Sequence, residues 1–247
     1  MNSKKYLSFL ILSLIIISCK SEDNTQVDED GIITGLQTKT LTHDNVNRNY
    51  LVYIPDSYDS EIDYPLMFVF HGFGGIATQF INNADMRDLA ESNNFIVVYP
   101  QGLDLGGTGS HWNCSNPSAD NKSDVDDIGF IEKLIDQLIL DYPVIDSKRI
   151  YAAGYSNGGF MSYYLACNSK KFAAIGSVAG TMLDDSYQSC NANFPTAMIN
   201  IHGTNDFDVP YDGNTYYPSI PEVVDWWKNF NNTPNEDLLT NQDGSIE

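Results

Sequence analysis

The sequence predicts an α/β domain built on a mostly parallel, doubly wound sheet. Two patterns carry that expectation. Continuous apolar runs of strand length, Leu66-Met67-Phe68-Val69-Phe70 and Phe95-Ile96-Val97-Val98-Tyr99, read as strands buried on both faces. Segments of helical periodicity separate the strands, and that alternation gives a parallel sheet whose ligands bind beyond the strands' C-terminal ends.

The elements follow in order. Gln37 to Leu41 and Arg48 to Ile54 predict a hairpin around His43-Asp44-Asn45. Leu66 to Phe70 is the first buried strand, Ala77 to Asn93 a helix, and Phe95 to Tyr99 the next strand. Gly102 to Asp124 is rich in Gly, Asn, Ser and Asp. It forms a long loop, and long loops in compact domains tend to be functional. Val125 to Leu140 is a helix, with Ile128, Ile131, Leu134, Ile135 and Leu138 on one face. Arg149 to Ala153 is a strand and Gly159 to Ala166 a helix. Phe172 to Ala179 and Ala197 to Ile201 are two further strands, and Pro221 to Phe230 is a short helix.

The N-terminus reads as an export signal. Lys4 and Lys5 precede an apolar stretch, Tyr6 to Ile17, too short to span a membrane. It ends in Ile16-Ile17-Ser18-Cys19, which resembles a bacterial lipobox and makes Cys19 the lipidated first mature residue. Residues 1–18 are then a signal peptide, 19–32 an acidic disordered tether, and 33–247 the folded domain. Lys20-Ser21-Glu22-Asp23 resembles the surface-export signals of Bacteroidetes lipoproteins. The expected location is a bacterial envelope, at the outer membrane or cell surface, with membrane contact through the lipid anchor alone. The formal charge is −20, from 33 acidic and 13 basic residues. Such a surface repels nucleic acid, which is not expected as a partner.

Four cysteines are present. With Cys19 assigned, Cys114, Cys167 and Cys190 remain, an odd number in an exported domain where disulfides persist. Cys167 and Cys190 are the favoured pair, leaving Cys114 single. No Cys and His cluster has zinc spacing, so no metal is expected, and no cofactor either.

The chemistry centres on Gly154-Tyr155-Ser156-Asn157-Gly158, between a strand and a helix. A Gly-x-Ser-x-Gly turn in that context is a nucleophile elbow. The turn is tight, its serine backbone is strained, and larger flanking residues would clash. Ser156 is the candidate nucleophile, and the Asn157 N–H points to where an oxyanion would form. His71-Gly72-Phe73-Gly74-Gly75 follows the first buried strand and offers a second donor, the Phe73 N–H. His202-Gly203-Thr204-Asn205-Asp206 follows a later strand and supplies the acid, Asp206, with Asp208 and Asp212 as rivals.

Together with His111-Trp112-Asn113-Cys114, Val125 to Ile131 and Val209-Pro210-Tyr211, these segments resemble a known group. It is the secreted esterases grouped with polyhydroxybutyrate depolymerases, which include feruloyl and acetylxylan esterases. The resemblance runs from about Asn49 to Trp227. It implies an α/β-hydrolase fold and carboxylic-ester hydrolysis through an acyl-enzyme. It makes Ser156 the nucleophile, Asp206 the acid, and Phe73 and Asn157 the oxyanion donors. The implied substrates are ester-bearing polysaccharides, with feruloyl or acetyl groups on xylan, or alternatively a polyester. Trp112, Tyr155 and Tyr211, with Trp226 and Trp227, are candidates to line an aromatic or sugar-binding cleft.

One feature departs from the pattern. The fold orders its triad as Ser, acid, His. The four histidines are His43, His71, His111 and His202, and none follows Asp206. His111, on the long loop, is the one stand-in. The expectation is therefore a C-terminally truncated esterase lacking its last strand, triad histidine and final helix. Ala197 to Ile201 would then be an exposed sheet edge. The alternative from another class is a binder without turnover, or a decayed fragment.

Overall fold

The computed structural model describes residues 31–104, 106–116 and 123–233. The expected signal peptide, Cys19 and all but the end of the tether lie outside the described residues.

The strands are β1 (Gly35–His43), β2 (Val46–Ile54), β3 (Tyr64–Phe70), β4 (Ile96–Pro100), β5 (Leu103–Asp104), β6 (Ser110–His111), β7 (Ile145–Tyr155), β8 (Ala174–Val178) and β9 (Ala197–Ile201). The helices are α1 (Ala77–Phe80), α2 (Arg87–Asn93), α3 (Asp127–Asp141), α4 (Asn157–Asn168), α5 (Asp184–Ser189) and α6 (Ile220–Phe230). Seven strands form one sheet in the order β1-β2-β4-β3-β7-β8-β9. β1 and β2 are the antiparallel hairpin, turned through Asp44 and Asn45, both at positive φ. From β4 to β9 the pairings are parallel.

One side of the sheet carries the main core. Leu66, Phe68, Phe70, Val98, Ala152 and Ile175 meet the apolar stripes of α3, α4 and α6 there. The stripe on α3 is Phe130, Ile131, Leu134, Ile135 and Leu138, all buried. Arg48 of β2 reaches this layer and pairs with Asp127 of α3 at 2.6 Å, both side chains buried. Removing either partner would strand a buried charge, at a cost of roughly 3–5 kcal/mol. On the other side α1 and α2 cover Leu51, Tyr53, Val69, Val97 and Tyr99. The part of that side formed by β8 and β9 is open: Ile199 and Ile201 are 66% and 60% exposed. Among the described residues nothing pairs with the outer edge of β9.

The expected helix over 77–93 is two helices, α1 and α2. The cause is Tyr99, whose buried hydroxyl donates to the Ala84 carbonyl and accepts the Met86 N–H, at 2.8 and 2.9 Å. That hydroxyl satisfies backbone groups in the break, and a broken helix is tolerated there. The long loop contains a short hairpin, β5 with β6. α5 was not expected from its polar sequence.

Candidate active site

β7 feeds Ser156 and α4 leaves it. Ser156 has φ 51° and ψ −120°, a conformation L-residues rarely adopt. The turn is held by backbone bonds: Ser156 N–H donates to the Val178 carbonyl at 2.8 Å, and its own carbonyl accepts from Gly159 and Phe160. The flanking glycines are required by closeness. A Cβ on Gly154 would lie 2.2 Å from the Gly158 carbonyl, and one on Gly158 would lie 2.2 Å from the Phe70 carbonyl oxygen. Gly158 thus presses the elbow directly against the end of β3, the neighbouring strand.

Ser156 opens on a cleft of about 260 Å³, lined also by Phe73, His111, Trp112, Asn157 and Tyr217. Both expected oxyanion residues therefore share the cleft with the candidate nucleophile. Cys114, Phe160, Leu183, Asp208 and Val209 complete the wall. Sequence reasoning missed Phe160 and Tyr217 as wall residues. Phe160 sits four residues after Ser156 on α4, so helical spacing alone would have put it on the nucleophile's side.

The described hydrogen bonds of the histidines go to groups other than Ser156. His71 is fully buried at the end of β3. Its Nδ1 lies 2.7 Å from the Gly72 carbonyl and its Nε2 accepts the Gly102 N–H at 3.0 Å. A carbonyl only accepts and an N–H only donates, so this ring is the neutral Nδ1–H tautomer. Burial also pushes its pKa below the usual histidine value. His202 donates from Nε2 to the Val209 carbonyl at 2.8 Å, while its buried Nδ1 has no partner among the described residues. His111 shares the cleft, but its Nε2 is 3.2 Å from Ser123 Oγ and its ring lies 6.1 Å from that of Phe73. Among the described residues none of these rings is hydrogen-bonded to Ser156.

Asp206 lies beside the cleft wall. Its Oδ1 accepts the Asp208 and Val209 N–H groups, both at 2.9 Å, and its Oδ2 is 3.8 Å from His202 Nε2. Asp208, the rival acid, lines the cleft itself. The aromatic candidates scatter. Trp112 is 1% exposed, and its indole N–H donates to the His71 carbonyl at 3.0 Å, so it forms the cleft's floor from beneath. Tyr155 points to a separate apolar hollow with Gly72, Phe80 and Met86. Tyr211 lies against His202, ring centroids 6.3 Å apart. Trp226 and Trp227 pack on each other at 4.9 Å within α6. Cys167 and Cys190 are joined in a disulfide, tying α4 to the end of α5. Cys114 is a free, buried thiol beside the elbow, its pKa raised by burial.

A set of metal-ligating groups comes together that spacing had not suggested. His43, Asp44 and Asp126 place ligand atoms within 4.8 Å of one another. His43 Nε2 is 3.1 Å from Asp126 Oδ2, and Asp126 Oδ1 caps α3 through the Gly129 N–H at 2.9 Å. A histidine–carboxylate pair at a helix cap accounts for the grouping.

Comparison with known proteins agrees with this geometry. The sequence profile of the prolyl oligopeptidase family matches residues 83–190, which include the elbow. A probable feruloyl esterase C of Aspergillus niger is 32% identical over 178 residues, covering 69% of this chain and 59% of that protein. A bifunctional acetylxylan esterase/xylanase of Neocallimastix patriciarum is 31% identical over 144 residues, 58% of this chain and 19% of that one. This chain thus spans about three-fifths of the length of the feruloyl esterase it matches. Two solved structures show the fold. A thermostable esterase has a TM-score of 0.58 at 16% identity, over 84% of this chain and 59% of its own. An α/β serine hydrolase homologue from Coxiella burnetii has a TM-score of 0.53 at 16% identity, over 80% and 83%. By architecture the chain has the α/β-hydrolase fold, and in sequence it is similar to feruloyl and acetylxylan esterases.

Proposed function

We propose that this chain carries the nucleophile, the acid and the oxyanion donors of a serine carboxylic-ester hydrolase acting on plant cell-wall esters. The observation that carries the reading is Ser156 at φ 51° on the cleft, at the head of α4. In the proposed reaction Ser156 Oγ attacks the ester carbonyl and the alcohol leaves, with the acyl group on the serine. Water then attacks the acyl-enzyme and releases the acid. The Phe73 and Asn157 N–H groups stabilise the oxyanion in both steps, and Asp206 is the acid that would orient a histidine base, a place none of the described histidines takes. Feruloyl or acetyl groups on xylan are the proposed substrates, supported by the relatives' names. A polyester is the alternative within the same chemistry.

A serine hydroxyl is a weak nucleophile without an adjacent base. Free imidazole can stand in for that base, so the test is fluorophosphonate labelling with imidazole added, followed by peptide mapping. The Ser156 peptide should be tagged, tagging should rise with imidazole, and Ser156→Ala should abolish it. A tag on another residue, or none at any imidazole concentration, ends the reading. A binder without turnover is favoured by one observation, that no described histidine is bonded to Ser156. Methyl ferulate that binds without labelling or turnover would support it.

The location is also a proposal: an envelope protein anchored through a lipid on Cys19, resting on the Ile16-Ile17-Ser18-Cys19 motif. Metabolic incorporation of a labelled fatty acid should be lost in Cys19→Ala. Equal incorporation in that variant removes the anchor.

A further inference from the structure

The two proposed oxyanion donors sit on different turns. Phe73 follows β3, and Asn157 follows β7. Strand pairing fixes the roots of these turns, since Phe70 and Gly154 are register partners. It does not fix their tips, yet donors must stand 2.7–3.1 Å from one oxygen to act together.

A third segment bridges the tips. Ser110 and Trp112, at the end of the β5–β6 hairpin, bind the first turn three times. The Ser110 carbonyl accepts the Gly74 N–H at 2.7 Å, the Ser110 hydroxyl donates to the Gly75 carbonyl, and the Trp112 indole N–H donates to the His71 carbonyl at 3.0 Å. The same segment binds the elbow through the Asn157 side chain. Trp112 N–H donates to Asn157 Oδ1 at 2.7 Å, and Asn157 Nδ2 donates to the Trp112 carbonyl at 3.1 Å. A carboxamide both accepts and donates, so Asn157 meets Trp112's backbone pair as a neighbouring strand would. The bridge is braced from behind, where the Asn113 N–H donates to buried Asp127 at 2.8 Å. Asp127 is in turn held by Arg48.

We infer that residues 110–112 are a splint that sets the separation of the two donor turns, and that the Asn157 side chain is its latch on the elbow. Asn157 therefore has two tasks: its backbone N–H is a donor, and its side chain positions the other donor's turn. Trp112 and Ser110 are positioning residues. The catalytic meaning of the splint rests on the proposed hydrolase reading. The mechanical coupling does not, and the two are separable by experiment.

The coupling is read by amide hydrogen exchange. Asn157→Ala removes the latch at the elbow, 45 residues from Trp112 and with no bond to the first turn. Exchange should rise at least ~10-fold, the loss of about one net hydrogen bond, at the Trp112 N–H and also at the Gly74 N–H. The Val223 N–H in α6 should stay within about twofold, since α6 lies outside the splint. Loosening at Trp112 with Gly74 unchanged overturns the splint. If Asn157→Ala does not fold, Asn157→Asp and Trp112→Phe answer the same question. Asp keeps the size but sets an acceptor against the Trp112 carbonyl, and Phe removes the bond to His71 together with part of a buried ring. Both should loosen Gly74, and an unchanged Gly74 in both overturns the proposal. Where Ser156-dependent ester turnover is measured, Asn157→Asp should lower kcat by ~10-fold or more with KM within about threefold. A change confined to KM sinks the catalytic half. If the unsubstituted chain shows no Ser156-dependent turnover, with or without imidazole, the hydrolase reading fails, and exchange at Gly74 alone decides the splint.

Discussion

One side of the central sheet has two halves that differ in cover. Over β2 and β4, Leu51, Val97 and Tyr99 lie sealed beneath α1 and α2. Over β8 and β9, Val178, Ile199 and Ile201 stand in the open, 41%, 66% and 60% exposed. They line a shallow, nearly all-apolar hollow with Met67, Tyr151 and Ala153. The residue types are alike, and the strands are equally regular. What differs, among the described residues, is whether a helix lies on them. The elbow stands at the seam: β7 is packed on its far side by α4, while its near side looks into the hollow. Apolar sequence therefore marks a strand that can be covered, and packing decides whether it gains ~25 cal/mol per Å² from cover.

The largest test of this contrast is a matched pair of truncations. Leu51→Ala should cost ~2–5 kcal/mol, whereas Ile201→Ala should stay within about 0.5 kcal/mol, both read from urea unfolding. Equal losses would show that the open half is covered in solution. Next is self-association. An apolar sheet face beside a strand edge that no described residue pairs favours pairing between copies. Ile199→Lys with Ile201→Lys should raise the dissociation constant at least ~10-fold by sedimentation velocity, because burying each isoleucine contributes ~1.5–3 kcal/mol. The same association in the double variant would place the contact elsewhere.

The smallest effect concerns His71, at the end of β3 where the two halves meet. Burial lowers its pKa in the folded chain, so the unfolded chain takes up a proton that the folded chain refuses. Stability should be full above about pH 6.5, the unfolded value, and should fall as pH drops below it. Urea midpoints at several pH values between 7.5 and 5 measure the slope, and His71→Asn should flatten it. An unchanged slope in that variant assigns the dependence to another group.

Much of the framework was legible from local pattern. Ala197 to Ile201 is β9 as expected, and the apolar positions of α3 are the ones its periodicity selects. The elbow was legible because its geometry demands glycine at two fixed places, and both demands are seen at Gly154 and Gly158. What sequence could not show depends on distant partners. The break between α1 and α2 is made by a tyrosine hydroxyl from β4. The role of the Asn157 side chain depends on Trp112, which faces it from 45 residues away in the chain. His111 came to the cleft as the long loop suggested, but Ser123 occupies its Nε2.

Ser156 is held at a backbone angle that costs on the order of 1–3 kcal/mol for a residue with a side chain. Glycine would sit there without that cost. As a heritable trait, the elbow is thus a place where folding and chemistry are in conflict. In a lineage released from its substrate, serine to glycine at 156 would relieve that strain, and the single step erases the nucleophile while leaving the fold intact.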